Sequence, residues 1–434
     1  MRFVNLRVNL RKLMRLKMPL SADSLLRNRD FFLMWVAATV SVLGGSISQL
    51  ALPLTAVEIL DASAAQMGLM FAFGVLPFVL FSIPAGVWLD RRRKHGVIVI
   101  SNLLGCAALA AVPLAVMFDA LSMPLLYAVE FVVGTGFCIG GSAIQVLLTQ
   151  MVGRDRLVEA NSKQASATST AGLLGPVLGG MLVGGLGAPL AVTLDALAFL
   201  IAALLVGAIG FRESQPEPPK GSPLHDALEG LYFVWRKPML RAFALMASMC
   251  LLLFHGFTAL YVLHATRNLH LNASQLALVN TLAALGALTG AHAVHGLNRH
   301  AGKYSAIHIG LVCTALGFIA YAWVPGGDWA VLLAGIAMLM VNAGITVYSI
   351  NYLSIRQMLT PDAMLSRMTS TMRFLSVSAA ALGSVLSGYC ADRFGLVPVL
   401  AALGLAGLGS AWTSRRLIAR ALETDPGAAA EAVA

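Results

Sequence analysis

Few residues in this chain could do chemistry, and most of them sit where water is scarce. Glu130 and His255 each interrupt a long apolar run, and both side-chain types can take up and release a proton. A charge near the centre of a bilayer costs about 2.5–3.5 kcal/mol, so an acid there needs a reason: proton exchange, a ligand contact, or a hydrogen bond between helices. Asp195 lies in a second such run and is expected to bond backbone or a neighbouring helix, whereas Glu58 stands close to a run's end, where water reaches it. Gln49, Asn342 and Tyr348 are uncharged polar residues in similar settings. His292, His295 and His300 form the one metal-like cluster, but no acid or cysteine stands beside them, and a site needs three or four converging ligands, so no metal is expected. Cys106, Cys138, Cys250, Cys313 and Cys390 each lie alone in an apolar segment and read as free thiols. No glycine-rich loop ends in Gly-Lys-Ser/Thr, so ATP hydrolysis has no support and no enzyme or cofactor is expected.

The elements that must position these residues follow from composition. The 434 residues are 58% hydrophobic and 12% charged, with a mean hydropathy of +0.79, whereas a soluble domain carries about a quarter charged residues. The fold class is therefore an all-α polytopic membrane protein. Twelve spans are expected at 31–57, 64–89, 97–118, 124–148, 164–184, 188–211, 241–264, 274–296, 305–324, 329–354, 368–389 and 396–413. With both termini cytoplasmic, all Lys and Arg except Arg267 and Arg393 fall on the cytoplasmic side. The net charge of +10 then reads as orientation charge and attraction to anionic lipid headgroups, with no nucleic-acid partner implied.

The longest polar interruption, 212–240, opens in breaker-rich sequence and continues as a short helix through Leu224–Trp235, with Leu228, Leu231 and Trp235 on one face. It divides the chain into a basic tail (1–30), a six-helix bundle (31–211), a linker (212–240), a second six-helix bundle (241–413) and a tail (414–434). Residues 1–17 alternate basic and apolar stripes, as an interfacial helix would; an unstructured tail, or an extension ahead of a start at Met18, remain alternatives. A repeat supports the two halves: Gln150-Met-Val-Gly-Arg-Asp-Arg-Leu157 returns as Gln357-Met-Leu-Thr-Pro-Asp-Ala-Met364 after the fourth span of each.

Two further stretches carry a resemblance. Gly86-Val-Trp-Leu-Asp90-Arg91, followed by Arg93 and Lys94, joins the second and third spans, and Gly175-Pro176-Val-Leu-Gly179-Gly180 lies in the fifth. The first is similar to the loop signature of the major facilitator superfamily, and the second to the glycine-proline signature of its antiporters and exporters. Arg93 replaces the glycine usual within the basic cluster, and the second-half counterpart, Gly290 through Lys303, lacks the acid. The loops Leu157-Val-Glu-Ala-Asn161 and Gln357–Arg367, with Leu194–Phe199 and Glu229–Trp235, look like the drug-efflux branch that includes macrolide and enterobactin exporters.

This resemblance implies a secondary exporter in a bacterial-type inner membrane, with two bundles rocking about a central site. Gly86, Asp90, Arg91, Arg93 and Lys94 would form a conformational latch, and Gly175, Pro176, Gly179 and Gly180 the antiporter-type packing motif. Spans one, four, seven and ten would line the pathway, which makes Gln49, Glu130, His255, Asn342 and Tyr348 its candidate polar residues, with Phe73, Met246 and Phe254 as adaptable apolar contacts. Glu130, where many relatives have arginine, and His255 are the candidates for proton coupling. The expected partners are a small amphipathic substrate, protons and membrane lipids, with the proton gradient as energy source. Export of a dedicated siderophore or other metabolite is the alternative, and a non-transporting receptor or scaffold is the reading from another class. Substrate identity and oligomeric state are left open.

Overall fold

The computed structural model describes residues 24–211, 213, 223–361 and 364–424; the side chains of residues 83–87, 90, 154, 223–227 and 424 lie outside that description. The basic stripe of residues 1–17 also falls outside it. Thirteen α-helices make up the described chain, joined by short turns. The first half holds α1 (Arg29–Leu60), α2 (Ala64–Asp90), α3 (Lys94–Met117), α4 (Met123–Val152), α5 (Leu157–Leu186) and α6 (Ala188–Gly207). A linker helix, α7 (Pro223–Arg236), leads to α8 (Pro238–Arg267), α9 (Ala273–Ala301), α10 (Lys303–Ala322), α11 (Ala330–Met358), α12 (Leu365–Phe394) and α13 (Leu396–Thr424). All but α7 are long and apolar enough to cross a bilayer.

Most helices outrun the apolar spans. α5 starts at Leu157 rather than 164, and α13 continues to Thr424 rather than stopping at 413, so the start of the expected carboxyl tail is helical. Hydropathy sees only the hydrocarbon zone, whereas a helix ends where its terminal backbone groups find other partners. The sixth span goes the other way, ending at Gly207 instead of 211.

The two halves share their punctuation. Ser63 caps α2 in a reciprocal box with Gln66, and Asn272 caps α9 with Gln275 in the same manner. Asp61 and His270, just before these caps, both have positive φ, at 46° and 54°. Gly187 and Gly395, at φ 83° and 89°, make the tight turns into α6 and α13, a conformation that glycine adopts without steric cost. The repeat seen in one loop thus extends through the turns of both bundles.

Within the first half α1 packs on α5 and α6, and α4 on α2 and α3; the second half repeats this with α8 on α12 and α13, and α11 on α9 and α10. Between halves α2 meets α12 and α5 meets α9. These crossings depend on small residues. A Cβ on Gly68 would strike the Ser384 carbonyl, and one on Gly180 would strike Ala277. In α7, Val234 is fully buried, and Gly230 is set against Arg367 and Thr371 of α12. Leu228, Leu231 and Trp235 stay exposed, so the apolar stripe of α7 faces away from the protein, as in a helix lying on a membrane surface.

Candidate functional site

Between the halves lies a cavity of about 910 Å³, within the usual range for small-molecule sites. α1 reaches it with Val42, Gly45, Ser46, Gln49 and Pro53, a spacing that keeps one face of a helix inward. Gln49 is exposed there, and Ser46 Oγ donates to the Val42 carbonyl at 2.9 Å. From α4, Glu130 enters about two turns from the helix start. Gly134 packs against the Gly74 carbonyl, and a Cβ on Gly74 would lie 2.8 Å from Glu130 Oε2, so the missing side chain leaves room for the carboxyl. Glu130 has no hydrogen-bond or ion-pair partner among the described residues. His255 of α8 and Asn342 of α11 line the opposite wall. Asn342 Nδ2 donates to the Met338 carbonyl at 2.9 Å, which leaves its Oδ1 unused.

Tyr348 does not join this site. The cavity face of α11 runs through Met338, Val341 and Asn342, and six residues further the helix has turned well away. Tyr348 is instead 2% exposed, stacked on Tyr352 at 5.5 Å and pressed against Gly310. Among the apolar candidates Phe254 lines the cavity, but Phe73 stacks on Tyr127 at 5.3 Å, and Met246 is buried in the second-half core. Asp195 is buried against the neighbouring helix α1. Because Gly44 lets α6 approach α1 closely, Asp195 reaches the cavity lining, 1% exposed and with Oδ1 unpartnered.

Three features lacked any local sequence signal. Arg373 of α12, one of the Lys and Arg assigned to the cytoplasmic side, is the one Lys or Arg among the described lining residues. Tyr261 and Asn280 line the same wall, the tyrosine hydroxyl donating to Asn280 Oδ1 at 3.4 Å. Glu213, in the linker, accepts from the backbone N–H groups of Lys94 and His95 at 2.7 and 2.6 Å and so caps α3 beside the basic loop. Within that loop Arg91, Arg92 and Arg93 are exposed and Lys94 is buried, whereas the side chains of Gly86 and Asp90 lie outside the described residues. In α5, Gly175 and Gly179 abut Ser46 and Ile47 of α1, Pro176 lines the cavity, and Gly180 touches α9 across the half interface.

The face opposite the basic loops is closed by contacts between the halves. Asp392, at the end of α12, accepts from Ser63 Oγ at 2.8 Å and from the N–H groups of Ala64 and Ala65 at 2.8 and 3.1 Å, at the start of α2. Arg267, an exception to the charge bias, donates to the Asp61 and Ala62 carbonyls at 3.2 Å each and pairs with the Asp61 carboxylate. Towards the basic face, Asn161, Ser162, Ser166 and Thr168 of α5 are exposed, and nothing lies within 4 Å of a Cβ on Gly172. The cavity is therefore shut at one face and approached from the basic one.

Residues 34–384 match the family model described as Major Facilitator Superfamily. Among curated relatives, the multidrug efflux pump Tap of Mycolicibacterium fortuitum is 27% identical over 85% of this chain and 91% of that protein. The enterobactin exporter EntS of Citrobacter koseri is 24% identical over 84% and 86%. Among solved structures, the nucleoside transporter NupG superimposes with a TM-score of 0.74 at 11% identity, covering 89% of this chain and 98% of that one. A bacterial homologue of the iron transporter ferroportin, in an inward-facing state, gives 0.69 at 15% identity over 92% and 99%.

Proposed function

The chain belongs to the major facilitator superfamily, a multi-pass transporter of the bacterial inner membrane rather than an enzyme, and we propose that it exports small amphipathic compounds in exchange for protons. The observation that carries this reading is Glu130, a carboxyl without a partner that faces a large, mostly apolar cavity between the two halves. Efflux pumps among its relatives support the direction. With the basic face cytoplasmic, the cavity is open to the cell interior, where cargo enters from cytosol or inner leaflet. Exchange then requires that Glu130 give up its proton on the cytoplasmic side and take one up on the far side, where cargo leaves.

Inverted vesicles under an imposed pH gradient, supplied with labelled lipophilic drugs, should accumulate at least one compound. Glu130→Gln should abolish accumulation driven by the gradient while retaining cargo binding. Normal proton-driven accumulation in that variant would exclude Glu130 as the coupling group, and no accumulation of any compound by the unmodified protein would remove the export reading itself. Enterobactin exporters among the relatives keep a dedicated metabolite cargo as the second reading. On that reading, deletion lowers the extracellular level of a siderophore in iron-starved cells.

A further inference from the structure

The charged groups of the cavity are not evenly placed. Glu130 enters about two turns from the start of α4, at the closed face, whereas Arg373 enters about two turns from the start of α12, at the basic face. Arg373 is exposed to the cavity, and its guanidinium stands 5.0 Å from the ring centroid of Phe78, a residue of the other half. It has neither ion-pair nor hydrogen-bond partner among the described residues. An arginine within a membrane span is costly, does not lose its charge, and normally meets a carboxylate or a row of carbonyls. Here five donors and a permanent positive charge are left facing space sized for a ligand.

We propose that Arg373 is an anion-recognition group, and that the exported cargo is an aromatic compound carrying an anionic group, such as a carboxylate, sulfonate or phenolate. The anion engages the guanidinium edge, as arginine donors match planar oxyanions, while Phe78 supports the guanidinium face and offers its ring to the aromatic part of the cargo. Because Phe78 belongs to α2 and Arg373 to α12, the cargo would be held between the two moving halves. The acids of the cavity do not oppose this assignment. Glu130 and Asp195 each lie about two turns from the closed-face starts of α4 and α6, away from the mouth where Arg373 meets the entering molecule. The inference deepens the export reading and rests on this cavity being the cargo site. An anionic lipid headgroup shares the required chemistry, so the test separates it from soluble cargo.

Dansylglycine and dansylcadaverine carry one fluorophore with opposite charges. Each is titrated into the full-length protein in phosphatidylcholine nanodiscs, with empty discs subtracted. The unmodified protein should bind dansylglycine saturably. Arg373→Gln should weaken it by about tenfold or more, the loss of a charge-assisted interaction, and leave dansylcadaverine unchanged or tighter. Arg373→Lys should keep part of the affinity, as a point charge without the fork. Equal losses for both probes, an unchanged dansylglycine affinity in Arg373→Gln, or no saturable binding to the unmodified protein would overturn the proposal. So would loss of dansylglycine binding when phosphatidylglycerol is added to the discs, which would assign Arg373 to a lipid headgroup. Since binding is read without a gradient, failure of export leaves this outcome legible, and failure here leaves export standing.

Discussion

Asp392→Ala should open the face that the structure shows closed. The carboxylate caps α2 from the opposite half, accepting three hydrogen bonds from Ser63, Ala64 and Ala65. A lost cap costs about 1 kcal/mol, and the favourable charge at a helix N-terminus adds about 0.3–1 kcal/mol, so the closed face should lose about 1–2 kcal/mol. That displaces a two-state equilibrium by about 5–30-fold. In the opened state these amides meet water, so the variant should not be destabilised by the same amount there. Hydrogen–deuterium exchange with peptide resolution reads both faces at once. Exchange should rise in 61–70 and 384–392 and fall in 161–172, where the basic mouth closes in return. A rise confined to the first turn of α2, with no fall at the basic mouth, would reduce Asp392 to a local cap and refute its role in holding the halves together.

Two other perturbations follow from the packing. Gly180→Val places branched carbons against Ala277 where α5 and α9 cross, so it should block closure of that face and abolish transport, while the protein still purifies as a folded species by circular dichroism. Glu213→Gln keeps the shape of the linker side chain but removes its charge from the start of α3. A loss of about 0.3–1 kcal/mol is expected, read as a small drop in thermal midpoint and faster exchange at residues 94–97.

The twelve spans were legible because membrane helices write them in one coarse signal, apolar length. It averages over many residues and tolerates boundary errors of a turn. The site was legible only in part. Gln49, Glu130, His255 and Asn342 line the cavity because each lies inside an element that faces the partner half. Tyr348 shows the limit, since a few residues along α11 rotate a side chain from cavity to core, and apolar runs without a polar face do not disclose the rotation. That Asp195 also borders the cavity was not legible, because its setting depends on Gly44, a neighbour distant in sequence. Arg373 was hidden by its own charge, since near a helix end an arginine looks like orientation charge whether it meets headgroups or a cavity.

The contacts that close one face are also of a kind suited to a rocker. If the halves were joined there by a buried ion pair, removing either partner would cost about 3–5 kcal/mol, and neither a proton nor cargo could readily reverse closure. Arg267 and Asp61 are exposed instead, and exposed pairs contribute about 0–1 kcal/mol. The Asp392 cap adds about 1–2 kcal/mol, and the glycine crossings add dispersion that another close crossing could replace on the opposite face. The closed face is thus held by several weak contacts that water can replace. A ligand shifts such an equilibrium only by its difference in affinity between the two states. For the proposed cargo held by Phe78 and Arg373, rocking of the halves would supply that difference, because the two residues belong to different halves.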